Sequence, residues 1–330
     1  MQTQGTSRRN FLKTSTVLTA AAAAGGMATG EPISATQPAA GTPPATKHPI
    51  RLGAPVFKAP TDPEALARAH REKSYRAAYC PPVGINDRER IRDIRTAFQR
   101  NDVVIAEVGR WCNLLDPDAE KRKANLERVT EGLALADELG ALCCVDIAGS
   151  FNADVWYGPH PDNLSDDFFD AAVENARKII DAVKPRRAKF CYEMMGWSLP
   201  DSPDAYLRML KAVDREAFGV HLDPCNLVNC PAKFYDNTAL INECFDKLGP
   251  WIVSCHAKDL KWQVEMNVHF VEVTLGEGQL DYKTYLKRLA QLPNDVPLMI
   301  EHMKGPAEYE ASRQFLFKTG GEIGVLFEYV

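Results

Sequence analysis

Eight short apolar runs punctuate the chain at near-regular intervals, with amphipathic segments between them. The runs are IRLGAPVF (50–57), YRAAYCPP (75–82), VVIAEVG (103–109), ALCCVDIAG (141–149), AKFCYEMMG (188–196), FGVHLD (218–223), IVSCHAKD (252–259) and PLMIEHM (297–303). Helical periodicity covers 62–74, 87–101, 118–139, 167–184, 202–214, 237–248, 281–292 and 307–319. In the third of these, Leu126, Val129, Leu133, Ala136 and Leu139 recur at helical spacing, and Gly140 stands where a left-handed cap belongs. Ser202, with Pro203 behind it, and Asn237 stand at N-cap positions. Strands that are apolar throughout and alternate with helices form a parallel sheet covered on its outer face. Eight such units predict a closed (β/α)8 barrel, the TIM barrel architecture. A doubly wound open sheet is disfavoured, because no glycine-rich phosphate loop follows the first strand. Residues 263–279, after the seventh strand, predict a hairpin insertion over the barrel mouth.

The first 46 residues do not belong to this pattern. SRRNFLK (7–13) places Arg8 and Arg9 before a weak apolar run, and a Pro/Ala-rich stretch follows. A charged segment followed by a short apolar one is a secretory signal, and the paired arginines make it a Tat-type address. Residues 1–46 are therefore assigned to a signal and linker, and residues 47–330 to the barrel. The Tat translocase is the partner this signal implies, with the periplasm or another extracytoplasmic space as destination. The apolar run is too short to predict stable membrane insertion. Net charge is −5 for the whole chain and more negative once the cationic signal is set aside. An acidic protein is a poor match for a nucleic-acid backbone. Nine cysteines in an exported chain suggest disulfides. Their odd number, and the position of Cys80, Cys143, Cys144, Cys191 and Cys255 inside apolar runs, favour small buried hydrophobes instead. A homo-oligomer is left open.

In such a barrel the C-terminal strand ends carry the active site. Strands five to eight end on Glu193, Asp223, His256 and Glu301, each interrupting an apolar run. Three acids cannot share a barrel mouth without a compensating cation. Two Glu, one Asp and one His suit a divalent ion that accepts hard oxygen ligands, with Mn first and Co, Mg or Zn as alternatives. A thiolate zinc site is excluded by spacing, since Cys225 and Cys230 have no suitably placed partners.

The stretches CYEM, HLDPCN, CHAKD, GEGQLDY (276–282) and IEH resemble those of the xylose isomerase-like barrels, the sugar phosphate isomerase/epimerase superfamily. The resemblance spans the barrel. It implies one metal ion held by Glu193, Asp223, His256 and Glu301, with Glu193 and Glu301 also acting as bases on the two faces of a sugar carbon. The activity implied is isomerisation or epimerisation of a ketose, inosose or keto-sugar through an enediolate. Two positions depart from the ketose epimerases. Asn226 stands where they carry a second His, and Trp262 where they carry an Arg. These departures keep open a lyase, dehydratase or hydrolase acting on 3-keto-glycosides. A non-catalytic sugar-binding barrel is a further alternative. The related endonuclease barrels need several more His ligands than a chain with seven His supplies.

Further substrate-binding candidates come from position. His221 shares the inward face of Asp223, and Lys258 that of His256. Asn226 follows Asp223, Glu107 and Trp111 close the third strand, and His160 lies in the aromatic loop DVWYGPHP (154–161) with Trp156 and Tyr157. His302 is expected to point away from the site by strand alternation.

Overall fold

A computed structural model describes residues 48–328. The signal, its linker and their boundary at residue 46 lie outside the described residues.

Eight parallel strands close into a barrel: β1 (Leu52–Gly53), β2 (Ala77–Tyr79), β3 (Val104–Gly109), β4 (Cys143–Asp146), β5 (Lys189–Glu193), β6 (Phe218–Leu222), β7 (Ile252–Ala257) and β10 (Leu298–Ile300). Neighbours in sequence pair in space around the ring, and β10 returns to pair with β1. The seven longer helices around it are α1 (Pro63–Glu72), α2 (Arg88–Arg100), α3 (Ala119–Leu139), α4 (Asp166–Val183), α5 (Pro203–Val213), α7 (Asn237–Leu248) and α8 (Tyr282–Ala290), followed by the closing α9 (Pro306–Ile323). A five-residue α6 (Pro231–Tyr235), not anticipated, precedes α7. The first strand is shorter than its apolar run, in part because Pro55 has no N–H to give the ladder.

Helix ends follow their local chemistry. Gly140 caps α3 at φ 73°, and Ser202 accepts from the Ala205 N–H at the start of α5. The α7 cap falls one residue earlier than expected. Asp236, not Asn237, accepts from the Ala239 N–H, and Asn237 instead bridges the Phe234 and Gln279 carbonyls. All nine cysteines are free, and seven are buried.

Two features stiffen the strand ends that matter. The buried Tyr206 hydroxyl lies 2.8 Å from the carbonyls of both Tyr192 and Gly219, and so ties β5 to β6. From α8, Tyr285 donates to the His256 carbonyl and Tyr282 to the Lys258 carbonyl. Each such bond contributes on the order of 1 kcal/mol, and leaving a buried carbonyl unpaired would cost more.

After β7 the chain forms an antiparallel ribbon, β8 (Asp259–Trp262) against β9 (Phe270–Val273). The ribbon starts at Asp259, the last residue of the seventh apolar run and four residues before the expected insertion. Trp262 packs in an aromatic cluster with Phe234, Tyr235 and Phe270. The GEGQLDY stretch wraps a buried carboxylate: Asp259 accepts from the backbone N–H groups of Leu260, Gly276, Gly278 and Leu280. Glycine is required at 276, where φ is 89°, and at 278, where a side chain would overlap Asp259.

Candidate metal centre

The four acid and imidazole residues meet as their strand positions anticipate. Glu193 ends β5, Asp223 follows β6, His256 is the penultimate residue of β7, and Glu301 follows β10. One donor atom from each lies within 4.8 Å of the others. His256 Nδ1 is the hub: Glu193 Oε1 is at 2.9 Å, Glu301 Oε2 at 3.0 Å and Asp223 Oδ2 at 3.8 Å. Lys258 Nζ stands 3.0 Å from Asp223 Oδ2 and 3.5 Å from Glu301 Oε2.

Electrostatics explain why this cluster calls for a cation. Burial pushes Asp223 up to about 6 against the pull of Lys258. Burial also opposes ionisation of Glu193 and Glu301, but His256 and Lys258 together outweigh it and hold both below the usual carboxylate range. His256 is itself driven down by burial and, more strongly, up by Glu301, Glu107 and Glu193. Three carboxylates around one imidazole nitrogen need more positive charge than Lys258 alone supplies, and a proton on His256 or a metal ion in its place would provide it. Asp223 Oδ2 and Glu301 Oε2 are buried without a well-aligned hydrogen bond, and their charged neighbours, Lys258 Nζ and His256 Nδ1, each stand 3.0 Å away. Carboxylate oxygens gathered beside an imidazole nitrogen fit a divalent ion, and three oxygens with one nitrogen are the donor set that hard or borderline ions accept.

The far side of His256 is closed by protein. Its Nε2 faces Glu107 Oε1 at 3.2 Å, while Glu107 Oε2 takes His221 Nε2 at 2.8 Å and the Ser254 hydroxyl at 3.2 Å. Burial opposes charge on Glu107, yet His256 and His221 hold it down to about 2. Glu107 and His221 are 1% and 0% exposed. Neither lines the cavity that opens above the cluster, contrary to the expectation from their strand positions. Glu107 is placed to fix which nitrogen of His256 faces the carboxylates.

Above the cluster opens a cavity of about 500 Å³, lined by Glu193, Asn226, Lys258, Glu272, Glu301 and His302 on its polar side. Trp111, Ile147, Met195 and three further aromatics form the rest. Asn226 and Lys258 reach the cavity as anticipated. Asn226 Nδ2 donates to Glu193 Oε1 at 3.2 Å, and Lys258 donates to Asn226 Oδ1 at 2.7 Å. Trp111 adopts a left-handed φ of 38°, which folds its ring back over Gly109 to within 6.4 Å of the His256 ring. His160 does not line the cavity. It caps a short 3-10 turn by accepting the Asp162 N–H and packs edge-on against Phe151.

Two polar cavity residues escaped the sequence, as did Ile147, Met195 and Trp197. His302 faces the cavity because its φ of 61° breaks the alternation of the strand, which has already ended at Ile300. Glu272 arrives on β9 and accepts from His302 Nδ1 at 2.8 Å.

A family profile described as the xylose isomerase-like TIM barrel matches residues 75–319. The chain belongs to that family. Solved structures share the fold of this xylose isomerase-like barrel. One, from Mycobacterium smegmatis in complex with magnesium, is 19% identical with a TM-score of 0.58, covering 83% of this chain and 97% of its own. A 3-keto-D-glucoside 4-epimerase from E. coli is 12% identical at 0.57, covering 82% and 99%. A probable 3-DHS dehydratase from Bacillus anthracis is 15% identical at 0.57, covering 81% and 98%. No curated protein matches in sequence. Residues 5–25 match the twin-arginine translocation signal, which marks the barrel for export and implies the Tat translocase as partner. Among the described residues no helix is long and apolar enough to cross a membrane.

Proposed function

We propose that this barrel is a divalent-metal-dependent sugar isomerase or epimerase that removes a proton from the carbon beside a carbonyl. The observation that carries this reading is the four-donor cluster of Glu193, Asp223, His256 and Glu301, two of which, Glu193 and Glu301, line the cavity. Those four residues would hold the ion, Mn by preference, whose bound form supplies Lewis-acid stabilisation of negative charge on the substrate oxygen.

The chain's own groups account for the remainder. Around the ring, Glu301 on the β10 end and Glu193 on the β5 end flank His256 and Asp223. Each glutamate has a carboxylate oxygen able to accept a carbon-bound proton. A base on each face of the carbon yields epimerisation. A single base, with a proton moved between adjacent oxygens, yields an aldose–ketose exchange. Lys258 can donate to the substrate oxygen that gains charge, and Trp111 offers a ring face to the sugar.

The substrate we favour is an inosose or keto-glycoside over a free ketohexose. Asn226 is committed to Glu193 and Lys258, and Trp262 is packed among Phe234, Tyr235 and Phe270. Neither supplies the sugar-holding His or Arg that ketose epimerases carry there. The same commitment supports a second reading, β-elimination from a 3-keto-glycoside with the same bases. Folding and metal loading in the cytoplasm before Tat export would protect a Mn site from Zn and Cu, and the protein would then act in the periplasm.

The test is a screen of ketoses, inososes and 3-keto-glycosides in deuterium oxide, with and without chelator. Metal-dependent deuterium uptake at the carbon beside the carbonyl is expected, and product mass separates isomerase from lyase. Full activity in Glu193→Gln or Glu301→Gln overturns the mechanism. Sugar binding without turnover or exchange would leave a non-catalytic barrel.

A further inference from the structure

The cavity has two tiers of aromatic surface. Half-buried Trp111 forms the inner tier, close to His256. The outer tier is Trp156 and Tyr157, from the loop after β4, with Trp197 from the loop after β5. These three are 38%, 49% and 39% exposed yet line the same cavity. Large apolar side chains held at a cavity mouth mark a binding surface.

The loops that carry them are fastened. The buried Ser150 hydroxyl donates to the Gly158 carbonyl at 2.6 Å, and Asn163 Nδ2 donates to the same carbonyl at 3.2 Å. Asn113 Nδ2 donates to the Ser150 carbonyl at 2.7 Å, and Asn152 Oδ1 accepts from the N–H groups of Asp154 and Val155. Trp197 Nε1 donates to the Tyr157 carbonyl at 2.6 Å and joins the two loops. That bond consumes the only donor of the indole, so Trp197 presents an apolar face. Trp156 and Tyr157 meet edge to face at 5.1 Å. The outer tier is therefore a pre-organised apolar platform, the arrangement that binds a ring with little ordering cost.

A single sugar ring seated over the carboxylates meets Lys258, Asn226 and Trp111, and leaves the exposed mouth uncovered. We propose that Trp156, Tyr157 and Trp197 form a subsite for a second ring joined to the keto-sugar, one with a flat apolar face. The substrate is then a glycoside carrying such a ring. The subsite rests on the keto-sugar reading above and narrows it. An aryl aglycone and the apolar face of a second sugar share this chemistry.

The test is isothermal titration of the Mn-loaded protein with three probes: methyl 3-keto-β-D-glucoside, phenyl 3-keto-β-D-glucoside and a 3-keto-disaccharide. At least one ringed probe should bind ten-fold or more tightly than the methyl probe, and which one does so identifies the source of the ring. Trp156→Ala and Trp197→Ala should each collapse that gap, while Trp156→Phe retains it. Trp156 sits at an exposed loop tip, so its variants keep the test decisive if Trp197→Ala fails to fold. Equal affinity for all three probes, no binding of any, or a gap that survives both alanine variants overturns the subsite. Turnover is followed separately. Metal-dependent turnover with no preference for a ring refutes the subsite and leaves the chemistry standing, whereas ring-selective binding without turnover does the reverse.

Discussion

Glu107 and Glu193 make an instructive pair. Both sit near the ends of barrel strands, both are buried, and both contact the same imidazole. Glu107 meets His256 at Nε2, on the side sealed by His221 and Ser254, so its oxygens are fully engaged by protein. Glu193 meets it at Nδ1, on the side that opens to the cavity, where oxygens of Asp223 and Glu301 also converge. The same contrast divides the barrel. Glu193 at the end of β5, Glu272 on β9 and Glu301 after β10 present acids to the cavity, whereas β3 and β4 bury theirs. Asp146, closing β4, is wholly inside and accepts from the backbone N–H groups of Cys112 and Ile147. A carboxylate at a strand end is thus either a chemical group or a brace, depending on which side of one histidine it occupies.

Substituting the open side should have the largest effect. Glu193→Gln should lower metal-dependent turnover by about 10²–10⁴-fold even at saturating metal, as expected for loss of a positioned base. Initial-rate kinetics across a metal titration measure this, and Glu107→Gln measured alongside should recover most of its rate as metal is raised. Equal, unrecovered losses in the two variants would abolish the distinction. The next effect in size belongs to the brace. Glu107→Gln should weaken metal binding by about 10–100-fold, read directly by calorimetric titration, because His256 loses the partner that orients it.

A smaller effect concerns Asp146, whose carboxyl is pushed up to about 7, chiefly by burial, against its backbone N–H partners. Its folded-state value lies above that of the unfolded chain. The cost of ionising it is therefore absent in acid, grows as pH rises through the interval from 3.8 to about 7, and is fully present above. Asp146→Asn removes that titration, so its melting temperature should gain on wild type as pH is raised from 4.5 to 8. A constant difference across that range would show that the shift is not felt. The smallest effect is at His160. Replacing it with Ala should cost about 0.5–1 kcal/mol of stability as a lost cap and leave turnover unchanged; a raised KM would return it to the substrate site.

Much of this was legible in the chain. Period and length announced the eight strands and the helices around them, because apolar continuity and amphipathic spacing are local properties. The ligand-type residues were legible for the same reason, since Glu193, Asp223, His256 and Glu301 each break an apolar run at the end where a parallel barrel opens. Depth was not legible. Alternation states that Glu107 and His221 face inward, but not that they stop short of the cavity. His302 faces the cavity because a left-handed residue reverses the direction alternation assigns, and Glu272 lies in the anticipated insertion, whose side-chain directions no local pattern specifies. His160 looked like its aromatic neighbours in sequence, and only the fold of the loop turned it into a cap.

The sequence by itself determined the barrel, the export signal and the set of donors, each written in local patterns of polarity and spacing. Tertiary structure decided which side of His256 is sealed, which aromatics stand at the mouth and which turn inward. Those choices rest on contacts between distant positions, such as Glu107 with His221 and Trp197 with Tyr157. No local pattern encodes them, because the energy that selects each arrangement exists only once the closed barrel has brought both partners together.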